Sequence, residues 1–149
     1  MEIIQALTDI VGPKGLLLGD DASARPNFSW GLGNCPAKAI VRPASTEELA
    51  KVMALCNDRS QSVVPWGGLT GLVNGITCEP DDIVVTLERM QAIEHIDAEA
   101  GVMTVQAGAI LQNVHDAAGA AGWQFAVDFG ARGSATIGGM IGTNAGGNS

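Results

Sequence analysis

A chain of 149 residues, 46% hydrophobic and 16% charged, holds enough apolar material for one domain with a real core and is not a disordered tail. Its formal net charge of −8 leaves no basic stripe, which sets aside nucleic acid and anionic membrane surfaces as partners. Gly at 20 residues, against Trp 3, Phe 3 and Tyr 0, points to many tight turns packed mostly by aliphatic side chains.

Ile3, Ile4, Leu7, Ile10 and Val11 recur at helical spacing and Gly12-Pro13 stops them, which predicts a short amphipathic helix. The N-terminus carries Glu2 and Asp9 and no basic n-region, so no signal peptide is read there. Leu16 to Asn34 has weak periodicity and reads as an extended surface segment, with Asp20-Asp21 as a solvated turn rather than a metal site. Residues 1–38 are accordingly set apart as a helix and extended segment, and 39–149 as the main domain. Ala39-Ile40-Val41 predicts a strand. Ser45-Thr46-Glu47-Glu48 is a capping box, and Leu49, Val52, Met53 and Cys56 form the buried face of the helix that follows. Ser62-Val63-Val64 starts a second strand, so the three elements predict a βαβ unit with parallel strands.

The stretch Pro65-Trp66-Gly67-Gly68-Leu69-Thr70-Gly71-Leu72 then runs on to Gly75, with one hydroxyl and no charge. Glycine at this density lets backbone N–H groups turn inward and approach a ligand with no Cβ in the way. Two readings stand: a tight surface loop, or an anion nest for a phosphate or pyrophosphate at the carboxyl end of a strand. Each N–H bond to a charged oxygen contributes roughly 1.5–3 kcal/mol. Charges beyond ~8 Å are largely screened. Several such donors therefore outweigh the distant negative charge of the chain.

Ile83 to Leu87 predicts a strand, and Ile93 to Asp97 with Val102 to Ala107 a hairpin turning at Ala98 to Gly101. Ile110, Val114, Ala117, Ala118 and Ala121 give a further helical face, and Trp123 to Val127 one more short strand. His95 and His115 have no second ligand at metal spacing and read as ordinary, partly exposed histidines. Cys35, Cys56 and Cys78 are odd in number with no Cys-x-x-Cys, so they suggest neither a disulfide framework nor zinc. With no apolar run long enough to span a bilayer, a cytoplasmic, reducing compartment is expected.

The second glycine stretch, Asp128 to Gly147, holds seven glycines and includes Gly133, Ser134, Thr136, Gly138, Gly139, Gly142, Thr143 and Asn144. Gly138 and Gly142 have the small-x-x-x-small spacing of close backbone packing, and a glycine-rich helix start there can face a phosphate or a flat ring. Two such loops favour the nest reading over the surface loop and suggest one long ligand.

Three segments then carry a resemblance. Arg42-Pro43-Ala44-Ser45-Thr46-Glu47-Glu48, Pro65-Trp66-Gly67-Gly68-Leu69-Thr70-Gly71, and Asp128 to Gly139 with Thr143-Asn144-Ala145-Gly146-Gly147 resemble, in order, motifs of FAD-linked oxidases. The family is the vanillyl-alcohol oxidase / p-cresol methylhydroxylase superfamily, and the chain looks closest to its D-2-hydroxyglutarate and D-lactate dehydrogenase branch. The resemblance implies an α+β, PCMH-type FAD-binding fold: an N-terminal βαβ subdomain with a mixed small sheet, plus the start of a second subdomain. It implies that Trp66 to Gly71, with Pro65 and Leu72 beside them, serve the FAD pyrophosphate, and that Asp128 and Gly133 to Asn144 line the flavin, ribityl chain and pyrophosphate. Leu69 stands where some relatives carry a flavin-linking His, so non-covalent FAD is expected. Trp66 is expected to cover the loop rather than stack on adenine. No Gly-x-Gly-x-x-Gly opens a helix and no Walker lysine follows the first loop, which sets aside nicotinamide dehydrogenases and NTPases. A cell-wall nucleotide-sugar reductase shares the fold but usually shows a different second motif.

The implied chemistry is oxidation of a small D-2-hydroxy acid, with an electron acceptor and a homodimer as partners. The resemblance places a divalent metal and the substrate groups in a later part of the relatives. No catalytic or metal-binding side chain is therefore expected in this chain. The alternatives are a stand-alone flavin-binding module without activity, or a fragment that has lost tight binding.

Overall fold

The computed structural model describes residues 2–147; Met1, Asn148 and Ser149, where the third motif runs out, lie outside the described residues. The chain forms two compact units, 1–89 and 90–149. Among the described residues no helix is long and apolar enough to cross a membrane.

The first unit is built on a four-stranded sheet in the order β1-β2-β4-β3, with β1 Leu16–Leu17, β2 Ala39–Val41, β3 Val63–Trp66 and β4 Ile83–Thr86. β4 lies parallel to both β2 and β3, and β1 runs antiparallel to β2. The expected parallel pair β2 and β3 is therefore present, with β4 inserted between its members. Every residue of β2 and β4 is buried, because helices and loops cover both faces of the sheet. Alternate residues divide the core in two, following the two-residue period of a strand. Ala39, Val41, Ile83 and Val85 pack with Leu7 and Val11 of α1 (Ile3–Val11) and with Val52 and Cys56 of α3 (Thr46–Asp58). Ile40 and Val84 pack on the opposite face with Ala22, Cys35, Ala37, Trp66 and Cys78.

The capping box forms: Ser45 Oγ accepts from the Glu48 N–H at 3.1 Å, and Glu48 Oε2 accepts from the N–H of Ala44 at 2.7 Å, one residue earlier than the cap itself. Met53, expected on the buried face, is 43% exposed, and Leu55 packs on the core beside Leu49 instead.

The extended reading of Leu16 to Asn34 is corrected. This segment supplies β1, a short helix α2 (Gly19–Ser23) and a turn at Ser29–Gly31, and it buries Ala22, Asn27, Ser29 and, just beyond, Cys35. Beyond Leu16 and Leu17 its buried residues are small or polar, so no apolar period marks them. Asp20 and Asp21 sit exposed in the first turn of α2, where carboxylates complement the helix dipole.

In the second unit β5 (Ile93–Asp97) and β6 (Val102–Val105) form the predicted antiparallel hairpin, with an irregularity in register between Ile93 and His95. Gly101 turns at φ +68°, and a Cβ there would stand 3.1 Å from the Trp123 ring. Helix α4 (Leu111–Ala120) turns Leu111, Val114 and Ala118 inward, and α5 (Ile137–Thr143) buries Met140. Leu111, Ala135 and Met140 make a small core with Phe125, Val127 and Phe129 against it. The strand expected over Trp123 to Val127 is absent. Trp123 instead donates its Nε1–H to the Ala98 carbonyl at 2.8 Å, and Phe125 meets the His115 ring edge-on, so side-chain anchors replace a ladder.

Ile40 is fully buried on the face that carries the loops. Ile40→Ala should cost about 2–5 kcal/mol, read as a lower urea midpoint with an unchanged slope.

Candidate functional site

The first glycine stretch begins inside β3, not after it: Pro65 is exposed in the strand, and Trp66 is its last residue. The Trp66 side chain is 3% exposed in the sheet's core, and its Nε1–H donates to the Ile76 carbonyl at 2.8 Å. The indole thus ties the start of the loop to its return and covers the loop from beneath. Gly67, Thr70, Gly71 and Leu72 are exposed, Gly68 and Leu69 half-buried. Leu69 turns at φ +58°, a conformation a branched side chain rarely adopts, while its side chain reaches the core cluster below.

The loop is braced by the segment whose structure the sequence hid. Ser29 Oγ donates to the Gly71 carbonyl at 2.5 Å, and the Ser29 N–H donates to Asn74 Oδ1 at 3.2 Å. Buried Asn27 pairs with Cys78 in both directions, its Nδ2 donating to the carbonyl at 3.2 Å and its Oδ1 accepting from the N–H at 2.9 Å. Thr77 Oγ1 adds a bond to the Asn27 carbonyl at 3.2 Å. The loop's carbonyls and side chains are held, yet among the described residues no N–H from 67 to 75 has a protein acceptor. Backbone N–H groups are obligatory donors. A braced run of free ones at the carboxyl end of a parallel strand is chemically suited to an anion.

A charged cluster follows β2 and β4 at the same end of the sheet. The Arg25 guanidinium grips Glu88 in a fork at 2.9 and 3.0 Å, and Arg42 Nη1 reaches Glu88 Oε1 at 3.1 Å. Arg42 also donates to the Lys14 carbonyl, and Arg89 to that of Arg42 at 2.9 Å. The Arg25 fork, then the Arg42 bond, holds the Glu88 carboxyl below the usual carboxylate range, and the same fork raises Arg25. Nothing in the sequence near Arg25 marks it as a partner of Glu88.

The second glycine stretch is put together differently. Asp128 is half-buried: its Oδ2 meets Arg132 Nη2 at 3.3 Å, and its Oδ1 lies 3.7 Å from His115 Nε2. That Oδ1 is buried with no hydrogen-bond partner among the described residues. His115 is 14% exposed, with Nε2 3.0 Å from the Val127 carbonyl, so it is more enclosed than expected. His95 is exposed on β5. Gly133 and Ser134 are exposed in a turn. Thr136 caps α5, its Oγ1 accepting from the Gly139 N–H at 3.2 Å. The N–H groups of Ile137 and Gly138 donate to the carbonyls of Ala109 and Ala107 at 3.0 and 2.7 Å. The first amides of this helix are therefore bound within the protein, and the expected open helix start is not found. Close packing holds at Gly138, whose Cβ would meet Ala107 Cβ and O at 2.9 Å, but not at Gly142, around which a Cβ finds open space. Thr143 Oγ1 bonds back to the Gly139 carbonyl at 3.1 Å, and Asn144 ends the helix at φ +51°.

Two predictions follow from these contacts. The Glu88 carboxyl titrates lower in the folded than in the unfolded chain, so its fork adds stability that is complete above about pH 4.3 and fades as pH falls through the lowered folded value. After allowance for solvent screening, Glu88→Gln should lower stability at pH 7 by about 1–2 kcal/mol and flatten the acid limb, read from paired urea melts at neutral and low pH. Gly138→Val should destabilise the second unit by about 1–3 kcal/mol through overpacking, seen as faster amide exchange in α5.

Comparison with known proteins adds the following. Residues 37–149 match the family model described as FAD binding domain. A rice protein (Oryza sativa subsp. indica) named "Probable D-2-hydroxyglutarate dehydrogenase, mitochondrial" is 37% identical over 139 residues, 93% of this chain and 25% of its own length. A D-2-hydroxyglutarate dehydrogenase of Xanthomonas citri pv. viticola is 45% identical over 109 residues, 73% of this chain and 23% of its own length. The crystal structure of p-cresol methylhydroxylase with substrate bound superposes with a TM-score of 0.71 at 17% identity, covering 95% of this chain and 28% of that one, which supports the fold alone. The chain thus spans about a quarter of the length of the curated relatives it matches.

Proposed function

This chain belongs to the FAD binding domain family and has its PCMH-type α+β fold; from that premise we propose that it is the FAD-binding part of an oxidoreductase acting on a D-2-hydroxy acid. The observation that carries the reading is the run of N–H groups from residue 67 to 75, braced yet without protein acceptors among the described residues. Those donors suit the pyrophosphate, with Pro65 and Trp66 anchoring the loop and Gly67 to Leu72 forming the cradle. The residues Asp128, Gly133, Ser134, Thr136, Gly138, Gly139, Gly142, Thr143 and Asn144 serve the flavin and ribityl part. Within that stretch Gly138 and Gly139 contribute by their small size, because their N–H groups are already engaged. Bound FAD would supply, at flavin N5, the acceptor for a hydride from C2 of the hydroxy acid. This chain's own contribution is to bind and orient. Leu69 offers no nucleophile at the position of the linking His, so the cofactor is held without a covalent bond.

The FAD-binding domain is taken as 39–149, supported by a family match that begins at residue 37. The substrate is 2-hydroxyglutarate, lactate or glycolate, with the names of the relatives favouring the first. The hydroxy-acid groups and any divalent metal are assigned to parts of the full-length protein that this chain does not include. An electron acceptor, a homodimer and a cytoplasmic location complete the proposal; the mitochondrial name of the rice relative is the competing address, decided by fractionation. The second reading, a flavin-binding module without activity of its own, draws on the quarter-length match.

Gly71 separates binding from folding. A Cβ there meets nothing within 4 Å, so the fold tolerates one, whereas a pyrophosphate against the loop would not. Gly71→Val in the full-length protein should leave the melting midpoint of the apoprotein unchanged and weaken FAD at least about tenfold, about 1.4 kcal/mol, by flavin fluorescence titration. Unchanged affinity overturns the assignment of the loop. Bleaching of bound flavin by D- but not L-2-hydroxyglutarate tests the activity, and its absence with flavin retained favours the module.

A further inference from the structure

Cys35 and Cys78 take no part in the reading above, yet they lie at the root of the first glycine loop. Their sulfurs are 3.4 Å apart, both residues are buried, and they come from segments 43 positions apart in sequence. Cys78 Sγ is also 3.1 Å from Asn27 Oδ1, whose side chain already pairs with the Cys78 backbone in both directions. Cys35 is fixed from its own side by its N–H bond to the Arg25 carbonyl at 2.7 Å. Two thiols with anchored backbones and adjacent sulfurs need to approach by only roughly 1.4 Å to reach a disulfide length of about 2.05 Å. Cys56, the third thiol, is buried in the core on the other face of the sheet, apart from both.

We propose that Cys35 and Cys78 are a disulfide-forming modification site that fastens the segment around Asn27 and Ser29 to the return of the glycine loop. The inference rests on the geometry of the first unit and not on the flavin reading. The oxidant is a hydroperoxide such as hydrogen peroxide. One thiol sulfur takes an oxygen as the O–O bond breaks, giving a sulfenic acid and releasing water. The partner sulfur then attacks it, the S–S bond forms, and the departing hydroxyl leaves as water with the partner's proton. Two thiols are oxidised and one peroxide bond is reduced. Burial, then the bond with Cys35, pushes the Cys78 thiol up to about 12, which makes the closed pair slow to react. Because both are enclosed, oxidation follows local opening of the segments that carry them, and the closed bond in turn suppresses that opening.

The test uses the full-length protein treated with hydrogen peroxide, quenched by alkylation under denaturing conditions and mapped without reduction. The expected result is a Cys35–Cys78 linked peptide with Cys56 still alkylated, and amide exchange at Phe28 and Thr77, whose N–H groups are hydrogen-bonded in the fold, slowed several-fold and restored by dithiothreitol. Cys78→Ser should abolish the slowing; if that variant does not fold, the wild-type map and exchange data decide alone. Two free thiols after a dose that oxidises exposed methionines, a link through Cys56, or a link that leaves exchange at Phe28 and Thr77 unchanged would each overturn the proposal.

Discussion

Asn27 is the contact on which the glycine loop depends. One buried carboxamide satisfies both backbone groups of Cys78 and so fixes where the chain re-enters the core after residues 67–77. Trp66 fixes the start of that stretch from the same side, through Ile76. A loop rich in glycine has high conformational entropy, and each ordered residue costs about 1–2 kcal/mol of backbone freedom. Holding such a loop while leaving its N–H groups unengaged requires that every restraint come through carbonyls and side chains. Ser29 to Gly71, Ser29 to Asn74 and Thr77 to Asn27 have that character. The two clamps and these lighter bonds keep the donors in place at no expense of a donor.

The second stretch solves a different problem. Its glycines at 138 and 147 let backbone approach backbone: Gly138 lies on Ala107, and a Cβ at Gly147 would overlap the Asp128 main chain. Helix α5 spends its first amides on internal carbonyls and on its cap. Both stretches are glycine-rich for steric reasons, but the first leaves main-chain donors open while the second engages those at the start of α5.

The sequence made the strands and helices legible wherever burial is done by large aliphatic side chains. α1, α3, α4, β2 and β4 all announce themselves by period or by a continuous apolar run. It was silent where burial is done by small or polar residues. Ala22, Asn27, Ser29 and Cys35 are all buried, yet no periodicity weighs them, so the brace under the loop read as surface. The Trp123 to Val127 error has the opposite cause: an alternation of aromatic and polar residues arises from separate anchors on Ala98 and His115 rather than from a sheet. Glycine spacing located both stretches but could not say which amides were free, because that depends on acceptors such as the Ala107 carbonyl, remote in sequence.

β3 is the outermost strand of its sheet, and Pro65 sits exposed in the middle of it. A proline lacks the donor that a neighbouring chain would need to extend the ladder, and outer strands tolerate it for that reason. The residue that leads into the loop therefore also guards against strand-to-strand polymerisation of this protein at high concentration. The rim of the sheet stays unattractive to other copies while the N–H groups at its end remain unengaged.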